Sequence, residues 1–346
     1  MRVLILGTIV NNQVGGGIGV FDENLYEGFK KLGDEVNILS VGKSTKIDNI
    51  VAGNPTNNIN TIYFRFRKIA KLIKEYKPDL VISSVQYCIG IKKYKRFWKK
   101  CTYVQVLHGI GWPVNGRIKT WAINKVSKFG RKHFDKVATV SYVSYALNQQ
   151  LIGVKCDKVI HNGCNYPFKT NSERKYDAIY VGRFHPDKNV EMITDAFIEL
   201  KKKNPNYKFA IVGYGEQEEL FTKGKYKNAP IDFLGKKSPD EVKKIFTESK
   251  FFVSMFTFEP FGLTLCEALL SGCNVITQLS SGSAPLFFNK PYYHIANCVN
   301  KNELCDIIEN AFSNYHEISE EEIKELAEYL DYKRVAAEYK ELVDEK

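Results

Sequence analysis

The sequence predicts an α/β protein built on two parallel sheets, and three observations carry that reading. Short runs rich in Val and Ile recur along the whole chain, most of them followed by a longer helix-like stretch, as expected for strands buried on both faces by crossover helices. The runs fall into two sets. Between them lies Asn165–Asp177 (NYPFKTNSERKYD), polar, Pro-containing and without helical or strand periodicity, which reads as an interdomain linker. The length of 346 residues also accommodates about two domains of roughly 150 residues.

Taken in order, the first set of strands is Val3–Leu6, Glu35–Leu39, Leu80–Ser83, Thr102–Leu107, Lys136–Val140 and Lys158–Ile160. Each is a short apolar run that ends near Gly, Ser or Asn. The second set is Ala178–Val181, Lys208–Val212, Ile231–Leu234, Phe251–Met255 and Asn274–Thr277. Asp22–Leu32 reads as the first helix, after a loop containing Gly15-Gly16-Gly17-Ile18-Gly19. In Arg65–Lys77 the residues Phe66, Ile69, Ile73 and Tyr76 recur at helical spacing, and Pro78 ends the helix. A further helix is expected to begin near Gly262. Ser319–Lys346 reads as helical with a break near Asp331, and Ser319 with Glu322 fits a capping box.

Composition narrows the classes. Hydrophobic residues make up 44% and charged residues 26%, and no apolar run approaches the roughly 18 residues of a membrane span. An integral membrane protein is therefore not expected, and Met1–Val10 reads as a strand and not as a signal peptide. The eight cysteines show neither C-x-x-C nor paired Cys/His spacing, which speaks against a disulfide framework or a zinc site and suits a reduced, cytoplasmic setting. The net charge of +11 is lopsided: residues 1–168 carry 26 Lys/Arg against 10 Asp/Glu, and residues 169–346 carry 24 against 29. A basic first half calls for an anionic partner, whether nucleic acid, an anionic membrane or a phosphorylated substrate.

Three stretches carry chemistry. The glycine loop before the first helix lets backbone N–H groups approach phosphate, helped by the helix dipole. Its spacing is not G-x-G-x-x-G, and no acid ends the next strand, so it does not read as a nucleotide-dehydrogenase fingerprint. Arg183 and Lys188, five residues apart and read as lying just past the first strand of the second set, suit neutralisation of a diphosphate leaving group. Glu259 and Glu267 frame E-P-F-G-L-T-L-C-E: one carboxylate precedes the expected helix and the other lies in its second turn. They are placed to accept hydrogen bonds from two hydroxylated parts of one ligand, and an unpartnered Glu amid Leu, Cys and Ala costs several kcal/mol.

The E-x7-E element, the Gly-Arg-x(4)-Lys element and Gly16-Gly17-Ile18 stand in one order with Gly33-Asp34-Glu35-Val36, His108-Gly109, Ile160-His161-Asn162-Gly163 and Val212-Gly213-Tyr214-Gly215. Together, over residues 1 to about 280, they resemble the retaining GT-B glycosyltransferases of family four. The resemblance implies two Rossmann-like domains facing across a cleft: residues 1–166 for the acceptor, residues 167–329 for the nucleotide-sugar donor, and a final helix within 330–346 returning to the first domain. Tyr332-Lys333-Arg334-Val335-Ala336 resembles the usual start of that helix.

Position by position, the resemblance implies that Arg183 and Lys188 bind the donor diphosphate and that Glu267 holds the ribose hydroxyls. Glu259 and the backbone of Phe261, Gly262, Leu263 and Thr264 would contact the transferred sugar and phosphates. Gly16 and Gly17 would close over the diphosphate, His108 would sit against the donor sugar, and Leu234 and Lys236 would line the nucleobase. Asn162 and Gly213 complete the implied donor set. A UDP-sugar is favoured as donor, with a polysaccharide, glycan or lipid-linked acceptor, no metal and no further cofactor. The implied route is front-face attack, the leaving phosphate taking the acceptor proton. Two departures stand out: Gly19 replaces a frequent acid, and Ser280-Ser281-Gly282-Ser283-Ala284-Pro285 replaces a common Gly-Gly-x-x-Glu stretch.

Residues 92–136 hold 13 Lys/Arg and one acid, Asp135, interleaved with Phe97, Trp98, Trp112 and Trp121. Basic residues flanked by aromatics suit an anionic membrane interface, and no nucleic-acid-binding motif accompanies them. The expectation is a cytoplasmic protein docking peripherally on the inner face of the membrane. The rival readings are a nucleotide-sugar epimerase of similar architecture and a non-enzymatic basic binding protein.

Overall fold

In the computed structural model of the chain the described residues are 1–7, 17–39, 45–47, 50–52, 69–84, 90–110, 116–164, 173–298 and 300–344. They form two units, Met1–Asn165 with Leu330–Lys346, and Tyr166–Tyr329.

The first unit is built on eight strands: β1 (Arg2–Leu6), β2 (Glu35–Leu39), β3 (Thr45–Ile47), β4 (Ile50–Ala52), β5 (Leu80–Ser84), β6 (Thr102–Leu107), β7 (Lys136–Thr139) and β8 (Lys158–Val159). Their order is β3-β4-β2-β1-β5-β6-β7-β8, parallel throughout except that β3 pairs antiparallel with β4. The direction of winding reverses between β1 and β5, the strand-order switch beside which ligands of open α/β sheets bind. Every residue of β5 and β6 is buried, as in a parallel sheet covered on both faces. β3 and β4 escaped the sequence reading because three residues are too short for a period to show.

The helices of this unit are α1 (Gly17–Lys31), α2 (residues 69–76), α3 (Ile91–Phe97), α4 (Arg117–His133), α5 (Tyr142–Ile152) and the C-terminal helix Tyr332–Asp344. The first begins five residues earlier than expected. Gly is a poor helix former, so the pattern suggested a start after the glycines; burial of Gly19, Phe21, Leu25 and Phe29 on one face overrides that preference. Of the expected helix Arg65–Lys77, residues 65–68 lie outside the described residues. Ile69 and Ile73 enter the core with Leu4, Leu6, Val81 and Tyr94. The helix stops before Pro78, with Lys77 at a positive φ of 52°.

The second unit has β9 (Tyr176–Phe184), β10 (Phe209–Gly215), β11 (Asp232–Gly235), β12 (Ser249–Ser254), β13 (Asn274–Thr277) and β14 (Tyr293–Ile295). All are parallel in the order β11-β10-β9-β12-β13-β14, so the switch point lies between β9 and β12. β9 is longer than expected. Its ladder with β10 runs on through Gly182↔Gly213 and Phe184↔Gly215, where a Cβ on Gly213 would stand 1.8 Å from the Gly182 carbonyl oxygen. Only glycine permits that approach.

Its helices are α6 (Val190–Lys203), α7 (Glu219–Thr222), α8 (Pro239–Thr247), α9 (Leu263–Leu270), α10 (Ala284–Phe287), α11 (Lys301–Ser313) and α12 (Glu320–Tyr329); the C-terminal helix of the first unit is then α13. Ser319 and Glu322 form the expected capping box, with Ser319 N to Glu322 Oε2 at 2.8 Å and Glu322 N to Ser319 Oγ at 3.2 Å. The expected break at Asp331 separates α12 from α13. Seven cysteines are buried free thiols, and Cys88 lies outside the described residues. Among the described residues no helix is long and apolar enough to cross a membrane.

Candidate active site

In the second unit the singled-out residues gather at the carboxyl ends of the strands. Arg183 is the penultimate residue of β9 and not past its end, because the ladder continues to Phe184. Its side chain is exposed, and its guanidinium makes no ion pair or hydrogen bond among the described residues. Tyr180 Oη donates to the Arg183 carbonyl at 3.0 Å, fixing the backbone at this point.

The chain then makes a 3₁₀ turn, Pro186–Lys188, closed by Asn189 at φ 50°. Asn189 Nδ2 donates to the Met255 carbonyl at 2.7 Å and Thr257 N to the Asp187 carbonyl at 2.9 Å. These bonds tie the loop after β9 to the loop after β12, across the switch point. They bring Lys188 Nζ to 3.2 Å from Glu259 Oε2, 3.6 Å from Asp187 Oδ2 and 4.0 Å from the centre of the Phe256 ring. Lys188 and Glu259, 71 residues apart in the chain, are thus one ion pair with both side chains largely buried. Sequence reasoning missed Asp187 and Phe256, which hold the ammonium from two further sides; a carboxylate one residue before a singled-out lysine was the available signal.

Gly262 stands before α9 at φ 93° and leaves no room for a side chain: a Cβ would lie 2.6 Å from Leu265 Cδ1 and 3.1 Å from Ser281 Oγ. No side chain caps α9, so the N–H groups at Leu263 and Thr264 open its positive end. The Ser280–Pro285 stretch, where the sequence departs from the family, backs this loop. Gly282 N donates to the Glu259 carbonyl at 2.8 Å and Ser281 Oγ to the Phe261 carbonyl at 3.3 Å.

Glu267 follows in the second turn of α9, and its carboxylate has no hydrogen bond among the described residues. Burial pushes it up to about 7, and Lys243 offsets this in part. At the ends of β10 and β11, Lys236 Nζ stands 4.7 Å over the exposed ring of Tyr214, and the half-buried Leu234 lies in β11. Gly213 carries no side chain for a ligand; its need for glycine comes from the Gly182 carbonyl.

In the first unit Gly17 opens α1, while Gly15 and Gly16 lie outside the described residues. His108 follows β6 directly. Its Nε2 is 3.3 Å from Ser84 Oγ, Ser84 Oγ donates to Asp22 Oδ1 at 2.9 Å, and the ring meets Phe21 edge-on at 4.7 Å. Burial pushes the imidazole down to about 4, so it is neutral at pH 7. Asp22 and Ser84 were not foreseen; a carboxylate on the apolar face of the first helix was the signal. Asn162 is buried after β8, and its Oδ1 has no hydrogen-bond partner among the described residues.

The basic stretch sorts into two parts. Trp98 points inward, its Nε1 donating to the Pro78 carbonyl at 2.8 Å, and Lys95 and Arg131 pair with Asp135 and Asp157. Trp98 is therefore half-buried against the core and not at an outer margin. α4 has no acidic residue, and Ile118 and Trp121 are 85% and 63% exposed, with Lys125 Nζ 5.6 Å over the Trp121 ring. Trp112 lies outside the described residues.

Two family profiles divide the chain: Glycosyltransferase Family 4 matches residues 15–166, and Glycosyl transferases group 1 matches residues 165–330. An uncharacterized glycosyltransferase of Methanocaldococcus jannaschii is 24% identical over 86% of this chain and 85% of its own. Among solved structures, sucrose-phosphate synthase of Thermosynechococcus elongatus superposes with a TM-score of 0.78 at 15% identity, covering 99% of this chain and 98% of that one. Anabaena HepE, solved in complex with UDP and glucose, gives a TM-score of 0.76 at 16% identity over the whole of both chains. The epimerase and non-enzymatic readings fall away, and the chain is a glycosyltransferase of family four with the GT-B fold.

Proposed function

We propose that the protein transfers a hexosyl group from a nucleotide-diphosphate sugar, a UDP-sugar in first place, to a polysaccharide, glycan or lipid-linked acceptor with retention at the anomeric carbon. The observation that carries this reading is the switch point of the second unit. There the exposed guanidinium of Arg183, the ammonium of Lys188 and the start of α9, which no side chain caps, lie in the same unit as Glu259 and Glu267. Cleavage of the sugar–phosphate bond develops negative charge on the diphosphate, and fixed cations and N–H dipoles aimed at it lower the barrier. That supply of positive charge suits a metal-independent reaction. Glu259 and Glu267, acceptors once ionised, suit hydroxyls of the sugar and of the ribose.

In the front-face route the bond from C1 to the phosphate oxygen breaks while the acceptor oxygen bonds C1 on the same side. The acceptor proton passes to the departing phosphate oxygen, so no protein base is assigned. Lys188 is held by Glu259 and Asp187 in the free protein, and a bound diphosphate would take over part of that pairing. The UDP-bound relative supports uracil as the base, and Tyr214 with Lys236 suits its face. The exposed apolar and basic residues of α4 support an acceptor or docking surface at an anionic membrane, and the seven free thiols suit its cytoplasmic side.

Thermal shift with UDP, GDP and ADP tests the reading. A nucleotide at 100 times its Kd stabilises by about 2.7 kcal/mol. The Arg183→Ala, Lys188→Ala double variant should lose that shift; an unchanged shift would refute the donor-site assignment.

A further inference from the structure

Residues 280–283 follow β13 and lie in the stretch where the sequence departs from its family. Three donors of this segment reach three different carbonyls of residues 255–262, the loop that joins β12 to α9. Ser280 Oγ donates to the Phe256 carbonyl at 3.2 Å, Gly282 N to the Glu259 carbonyl at 2.8 Å and Ser281 Oγ to the Phe261 carbonyl at 3.3 Å. The acceptors span most of the loop. Glu259 and Ser281 also form a parallel bridge, so the two segments run side by side outside the regular sheet.

Two of the three donors are side chains. The Gly-Gly-x-x-Glu stretch that this segment replaces offers no hydroxyl at its glycines, so the two serine bonds belong to this chain's own version of the loop. Ser281 is 2% exposed, and a hydroxyl buried to that degree is costly without partners; it has the Phe261 carbonyl and Ser283 Oγ at 3.1 Å. Its oxygen also fills the room beside Gly262, where a Cβ would lie 3.1 Å from it. Gly262 makes the left-handed turn from which α9 starts. Ser280 acts further back, on the carbonyl of Phe256, whose ring lies 4.0 Å under the Lys188 ammonium. Through the backbone, the two serines therefore reach the ring beneath Lys188, the residue Glu259 and the first turn of α9. Fixed charges and dipoles help a reaction only if they stand in place before charge develops, and a displacement of about 1 Å can cost about a hundredfold.

We propose that Ser280 and Ser281 are positioning residues, a hydroxyl clamp that fixes the loop between β12 and α9 so that Glu259 and the first N–H groups of α9 stand ready for the donor diphosphate. The ligand rests on the proposed function, whereas the clamp is a property of the free protein.

The Ser280→Ala, Ser281→Ala double variant of the full chain tests this against wild type and Ser271→Ala. Ser271 is the control: it is buried, and its Oγ donates to the Glu267 carbonyl at 2.8 Å at the other end of α9. Hydrogen exchange without nucleotide reads the clamp. In the double variant the amides of Leu265 and Cys266, both directed at the Gly262 carbonyl, should exchange faster, and in Ser271→Ala they should not. UDP should bind the double variant roughly tenfold more weakly. Uridine, which has no phosphate, should bind it as it binds the wild type. Unchanged exchange at Leu265 and Cys266, or the same change in Ser271→Ala, would overturn the clamp. Equal loss of UDP and uridine, or loss of neither, would overturn its part in holding the diphosphate. A wild type that binds neither ligand would count against the proposed function instead, and exchange would still decide the clamp.

Discussion

Glu267 is a carboxylate whose burial is not yet compensated. In the free protein its carboxyl is pushed up to about 7 by desolvation, against an ordinary value of 4.5. The folded chain therefore holds this proton between those values when the unfolded chain has released it. Stability consequently falls as pH rises from 4.5 to about 7 and is level beyond. Glu267→Gln should remove that slope and stabilise the unliganded protein at pH 8 by about 2 to 3 kcal/mol, allowing for partial exposure of the side chain. Binding should show the opposite sign. Hydroxyls donated to the carboxylate favour its ionised form, so nucleotide affinity should rise through pH 7 with release of a proton. Calorimetry in buffers of differing ionisation enthalpy reads that proton, and Glu267→Gln should show neither the release nor the rise. The E-x7-E spacing made both glutamates legible from sequence. What spacing does not give is that Glu259 is neutralised by Lys188 while Glu267 stands without a hydrogen bond among the described residues. That difference depends on Asn189 and Thr257 joining two loops, and it is written in no local pattern.

Between elements, α13 packs closely against α1 and the loop after β8. A Cβ on Gly28 would lie 2.3 Å from the Tyr332 carbonyl oxygen, and one on Gly163 would lie 2.5 Å from the Leu330 carbonyl oxygen. Cys164 N donates to that same Leu330 oxygen at 2.7 Å, and Lys340 Nζ reaches both oxygens of Asp34 at 2.9 Å. In an isolated helix Gly→Ala gains up to about 1 kcal/mol, but at Gly28 the obstacle is backbone and cannot rotate away. Gly28→Ala should therefore destabilise by about 1 to 3 kcal/mol and speed hydrogen exchange in α13. Gly33→Ala is the control: nothing lies within 4 Å of its Cβ, and only its φ of 79° costs. It should lose about 1 kcal/mol without loosening α13. Equal exchange in the two variants would show that α13 is not held through Gly28. The strands β2, β6 and β13 were read from sequence to the residue because each carries a short run rich in Val, Ile or Leu that ends near Gly, Ser or Asn. β3, β4 and β14 were not, being three residues each. The early start of α1 was hidden because glycine lowers helix propensity while burial of Phe21, Leu25 and Phe29 decides the outcome.

At the scale of the whole chain the charge asymmetry acquires an address. Part of the basic stretch pairs with Asp135 and Asp157, and Trp98 packs half-buried against the core. What remains outward is α3 and the turn after it, with exposed Lys92, Arg96, Phe97, Lys99 and Lys100, and α4, where exposed Ile118, Trp121 and Ala122 give way along one face to Lys125, Lys128 and Lys132, with no acid in the helix. An indole and an aliphatic chain entering the headgroup region, beside cations each worth about 1 kcal/mol at an anionic surface, would give reversible binding without any spanning helix. Vesicles of anionic lipid should carry the wild-type protein upward in a flotation gradient, whereas neutral vesicles should not. The triple variant Lys125→Glu, Lys128→Glu, Lys132→Glu should abolish flotation, and added salt should weaken it, because these charges are exposed and screened. Trp121→Ala should weaken it at low and high salt alike, since its share is apolar. Neither change touches the second unit, so UDP binding should be the same in all variants. Flotation that is equal on both lipids, or unaltered by the charge reversals, would mean that the excess of positive residues is an ordinary solvated surface and that the acceptor is met elsewhere.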